Sequence, residues 1–102
     1  MSLDPTVLDA STINKSGEFQ MMLFDQEEWG PQEHQQQLQA KVAAYIEAAQ
    51  AMPQAKNRKV RITLVTMYEP DEAGRQLIST LRSVVESAGI AFEYVFRPVP
   101  KW

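Results

Sequence analysis

Val60-Arg61-Ile62-Thr63-Leu64-Val65-Thr66-Met67 is the stretch that decides the fold. Apolar and polar residues alternate along much of it and β-branched side chains dominate, the pattern of a strand with two distinct faces. Helical segments flank it on both sides. Upstream, Leu38, Val42, Tyr45, Ile46, Ala49 and Met52 recur at the spacing of one buried helical stripe. Pro31 suits the first helical position, where a missing N–H costs nothing, and Pro53 stops the run. Downstream, Glu69-Pro70-Asp71-Glu72 opens a second helix, its carboxylates favoured at the positive end of the helix dipole. The buried stripe expected there is Leu77, Ile78, Leu81, Val84, Val85 and Ala88. Gly89 follows where a left-handed cap is wanted, so that Ile90 can fold back toward Val85.

Two further strands precede the first helix and one follows the second. Phe19-Gln20-Met21-Met22-Leu23-Phe24 is separated from an earlier periodic segment, residues 6–13, by the turn-forming Asn14-Lys15-Ser16-Gly17. Such a loop predicts an antiparallel hairpin, with Gly17 taking the positive φ. Residues 91–97 form the last strand, with Phe92, Tyr94 and Phe96 on one face and Pro98 and Pro100 barring its continuation. The predicted order is β-β-α-β-α-β. Each β-α-β crossover implies parallel pairing and a right-handed connection. If the sheet grows in one direction the result is an α+β two-layer sandwich: a four-stranded mixed sheet, order 1-2-3-4, with two helices on one face.

Composition agrees with one such unit. A chain of 102 residues, 44% hydrophobic and 23% charged, supports one core and falls outside the signature of disorder. Residues 1–102 read as a single domain with 98–102 as a docking tail. The net charge of −3 speaks against a nucleic-acid partner held by counterion release. No run approaches the ~20 apolar residues of a membrane helix, and Met1-Ser2-Leu3-Asp4-Pro5 lacks a secretory pattern. The absence of cysteine excludes disulfides and thiolate chemistry and favours the reducing cytoplasm. A cytoplasmic protein without nucleic-acid or membrane partners is expected.

The sheet order makes a demand on the surface. One face takes Phe19, Met21, Leu23, Val60, Ile62, Leu64, Phe92, Tyr94 and Phe96 beneath the helices; the other is left with Met22, Phe24, Val65, Met67 and Val95. An apolar patch of that kind usually marks a partner site, and a C2 homodimer needs only one self-complementary surface. Met22, Phe24, Val65, Met67, Val95 and the terminal Trp102 are therefore the candidate interface. The alternative is a reversed sheet order with one helix on the back, giving a compact monomer.

Chemical signatures are missing. The single histidine, His34, lies near Asp25, Glu27, Glu28 and Glu33, but the spacing matches no helix-borne metal motif, and a solvated acidic loop accounts for it. No nucleophile elbow, P-loop or dinucleotide fingerprint is present. No catalytic residue, metal or cofactor is assigned. Lys56, Arg58, Lys59 and Arg61 form one basic cluster, read as a solubilising loop. Asp71 with Arg75, and Arg82 with Glu86, have the spacing of helix-surface pairs. Trp29 is expected to plug the end of the sandwich.

The chain also resembles a family of small uncharacterised bacterial proteins, a domain of unknown function. The resemblance rests on Val7-Leu8-Asp9-Ala10, on Asp25 and Trp29 at the exit of the second strand, on Leu38-Gln39-Ala40-Lys41-Val42-Ala43-Ala44-Tyr45-Ile46 and on Glu86-Ser87-Ala88-Gly89. It implies the same order of elements and, since no activity is assigned to the family, transfers no catalytic residue. Taken together, these features favour a non-enzymatic protein-interaction module that self-associates through its uncovered sheet face. The alternative is a small-ligand-binding protein or enzyme, with a polar site of Asp25, Glu28, Trp29, His34 and Arg58 at the strand ends.

Overall fold

A computed structural model describes residues 10–53 and 57–98. Within them the elements run β1 (Ala10–Ile13), β2 (Phe19–Asp25), α1 (Gln32–Ala51), β3 (Val60–Thr66), α2 (Glu72–Ser87) and β4 (Ala91–Phe96). They form one four-stranded sheet in the order β1-β2-β3-β4. β1 pairs antiparallel with β2, while β2 with β3 and β3 with β4 are parallel. The expected α+β sandwich is the one observed.

Local chemistry explains the junctions. In the hairpin, the Asn14 side-chain oxygen accepts from the Ser16 and Glu18 amides, both at 3.0 Å. The chain then reverses through Gly17 at φ 82. Asn14 also donates to the Glu18 carboxylate at 2.9 Å, and Arg61 on β3 approaches that carboxylate at 3.4 Å. The Asn14 bond first, and the Arg61 contact second, hold the Glu18 carboxyl below the ordinary glutamate range. α2 starts at Asp71, whose side chain accepts from the Gly74 amide at 2.7 Å. It ends with the Gly89 amide donating to Glu86 O and the Ile90 amide to Val85 O, with Gly89 at φ 78. That is the Schellman pairing expected from Ala88-Gly89-Ile90.

Both helices lie on one face. Phe19, Met21, Leu23, Ile62, Leu64 and Phe92 from the sheet join Leu38, Val42 and Tyr45 from α1 and Leu77, Leu81 and Val85 from α2 in one buried cluster. The Tyr45 hydroxyl also donates to the Met22 carbonyl at 3.0 Å, tying α1 to β2. Three expectations are corrected at the margins of this core. Val84 is 48% exposed, at the edge of the buried arc formed by Gly74, Leu77, Ile78, Leu81 and Val85, and Ala88 is exposed as the C-cap beyond the last helical turn. Phe96 is 41% exposed, because the edge strand β4 carries it to the end of the sheet. Arg75 donates to the Pro70 carbonyl at 3.0 Å and Arg82 lies 5.5 Å over the Phe92 ring, so these exposed arginines engage a backbone carbonyl and an aromatic ring in addition to the surface positions their spacing suggested.

Candidate functional site: the strand ends and the uncovered face

At the carboxyl end of β2 the extended chain stops at Asp25, whose side chain is wholly buried. Its Oδ1 accepts from the Glu27 amide at 3.0 Å and turns the chain toward α1. Its Oδ2 lies 2.6 Å from Nε2 of His34, itself 4% exposed in the first turns of the helix. The backbone carbonyl of Asp25 accepts from the Met67 amide at 3.1 Å, so the same residue ties the ends of β2 and β3 together. With Nε2 facing the carboxylate, His34 has only Nδ1 left, and that atom is buried with no hydrogen-bond partner among the described residues. Asp25 and His34 are thus a buried pair and not the solvated acidic loop their neighbours in sequence implied. The flanking glutamates stay outside, where Glu27, Glu28 and Glu33 line a polar recess of about 290 Å³ beside the histidine.

Trp29 completes this end of the molecule. Its ring meets His34 edge-on, with centroids 4.6 Å apart, and its indole N–H donates to the Tyr68 carbonyl at 3.1 Å. It packs against the core, as expected of a plug. Gly74 is what lets it fit. A Cβ there would meet Trp29 Cε3 at 2.7 Å and Pro70 Cβ at 2.9 Å.

Of the polar site read from sequence, the structure brings Asp25, Trp29 and His34 together, with Glu28 at the rim. Arg58 is elsewhere. It precedes β3 and donates to the Gly17 carbonyl at 3.2 Å, at the amino end of the parallel strands, so it cannot share a site with Asp25 at their carboxyl end. Among the described residues, no group of three or more His, Asp or Glu side chains could hold a metal ion.

The opposite surface is the sheet face that no helix among the described residues covers. Phe24, Val65 and Val95 stand in register across β2, β3 and β4, with Met22 one step back along β2 and Met67 just past β3. Val65 is nearly closed over, while Met22, Phe24, Met67 and Val95 are half-buried. Trp102 lies outside the described residues. The other half of the face is polar, which the periodicity of β3 alone did not show. Gln20 donates to the Thr63 hydroxyl at 3.1 Å and Thr63 donates to Glu93 at 3.2 Å, a ladder crossing three strands beside Arg61. Register could have found it, since Thr63 and Glu93 are direct neighbours once β3 and β4 are paired in parallel.

Among the described residues these features define a two-layer α+β protein with one sheet face that carries no helix and a buried carboxylate–histidine pair at the strand ends. The chain belongs to DUF6572, a family of unknown function, whose family model matches residues 1–97. No curated protein and no solved structure matches it significantly. No helix among the described residues is long and apolar enough to cross a membrane.

Proposed function

We propose that the protein is a non-enzymatic interaction module whose uncovered sheet face receives a second copy of the same chain. The observation that carries this reading is the Phe24–Val65–Val95 row, three apolar side chains on adjacent strands of a face that no helix among the described residues covers. A two-fold axis along the strand direction lays that row over its own copy, and such a contact needs only one patch. The polar half carries both signs, Arg61 and Glu93, so a second copy brings no uncompensated field of like charge. Phe24→Asp and Met67→Asp, each placing a charge in the row or at its end, are expected to give folded monomer by light scattering. An unchanged assembly in both variants contradicts the reading.

The unpartnered Nδ1 of His34 supports a second reading, a small-ligand site at the recess beside Asp25. The deciding measurement is a thermal-shift screen of metabolites and metals against the native chain and Asp25→Asn. A ligand that stabilises the native chain alone supports it, and no stabilisation by any compound removes it.

A further inference from the structure

A separate cavity of about 350 Å³ opens where β4 ends and α2 begins, lined by Glu69, Pro70, Arg75, Ile78, Tyr94 and Phe96. It lies outside the carboxyl ends of parallel strands, the usual place for a ligand in such sheets. Its volume is in the lower part of the ~300–1,000 Å³ range of small-molecule sites. None of its lining residues belongs to the uncovered face, so it is independent of self-association.

The walls and the rim differ in chemistry. Pro70, Ile78 and the two aromatic rings supply apolar surface. The Tyr94 hydroxyl is 2.8 Å from the buried Thr66 hydroxyl, which anchors that ring as a fixed wall. Phe96 stands 41% exposed outside the core cluster, an aromatic surface that a bound apolar group would cover. Arg75 uses one N–H on the Pro70 carbonyl, which steadies its guanidinium, and a guanidinium has five donors. Glu69 adds an exposed carboxylate to the same lining.

One cation and one anion beside an apolar cavity select against singly charged ligands, because either sign leaves one rim group opposed. A zwitterion with an apolar side chain satisfies all three surfaces. We propose that this cavity binds a free α-amino acid with a large apolar or aromatic side chain. Its carboxylate meets Arg75, its ammonium meets Glu69, and its side chain lies against Tyr94 and Phe96.

The test is an amide-resolved NMR titration of the full chain with L-phenylalanine, L-alanine, phenylacetate, phenethylamine and N-acetylphenylalanine amide. Saturable shifts at Arg75, Tyr94 and Phe96 are expected with L-phenylalanine. Each ligand lacking one charge should bind about ten-fold more weakly, the size of one lost charge-assisted hydrogen bond. Arg75→Gln should abolish the preference for L-phenylalanine over phenethylamine, and Glu69→Gln the preference over phenylacetate. Both positions are exposed, and the spectrum itself reports whether each variant is folded. Absence of saturable shifts with L-phenylalanine overturns the proposal. So does equal binding of L-alanine or of the uncharged amide, and so does an unaltered preference in both variants.

Discussion

At residue scale, Gly74 shows how a neighbour can reverse the effect of a substitution. In an exposed helix interior, glycine to alanine gains about 0.5–1 kcal/mol. Here the added methyl would sit within 3 Å of the rigid Trp29 and Pro70 rings. Gly74→Ala is therefore expected to destabilise by about 1–3 kcal/mol, the usual range for overpacking. Urea unfolding measures it, and a stabilised variant would show that Trp29 moves freely. The Asp25–His34 pair makes a second prediction. Asp25→Ala strips the buried His34 Nε2 of its carboxylate partner, an orphan that costs about 1–3 kcal/mol, and leaves the Glu27 amide without its acceptor at the turn. A fall in stability well beyond that of Glu28→Ala, on the exposed rim, is expected in the same assay. Sequence placed these residues near one another but could not show their burial, because the packing around them includes contacts set by tertiary structure, such as Trp29 meeting His34 while bonded to the distant Tyr68 carbonyl.

At the scale of elements, the ends were the most legible parts of the chain. Asp71 before α2, Gly89 after it and Asn14 with Gly17 in the hairpin act through bonds only a few residues long, so local spacing suffices to read them. Gly89→Ala forces a side chain to φ 78 and should cost about 1–2 kcal/mol in thermal or urea unfolding, with Asp71→Ala costing about 1 kcal/mol. The hairpin adds a pH dependence. Because Asn14 and Arg61 lower the Glu18 carboxyl in the folded chain, its contribution is complete above the unfolded-state value and is lost as pH falls through the lower folded one. Glu18→Gln should flatten the acid limb of the stability profile, and a Glu18 titration midpoint at the ordinary glutamate value would refute the assignment. What local spacing missed was the rotational setting of α2. Periodicity assigns Val84 and Val85 to one stripe, but the buried arc of α2 is Gly74, Leu77, Ile78, Leu81 and Val85, which leaves Val84 exposed at its edge.

At the scale of the whole molecule, the helical crossovers made parallel pairing readable from periodicity, whereas the order 1-2-3-4, which is the order observed, rested on the sheet growing in one direction. The texture of the uncovered face was not readable from periodicity. Apolar residues drew the eye to Met22, Phe24, Val65, Met67 and Val95, while Gln20, Thr63 and Glu93 form their ladder only through pairing between strands far apart in sequence. The face is therefore divided, with an apolar row toward the carboxyl ends and a hydrogen-bonded polar strip behind it. Association through the row leaves the polar strip as a rim, the usual arrangement in protein interfaces. Sedimentation equilibrium of the native chain over a wide concentration range tests this most directly. Self-association predicts a mass that rises to twice that of the 11.6 kDa chain and returns toward one chain on dilution or on introducing Phe24→Asp; a mass of one chain at every concentration contradicts it.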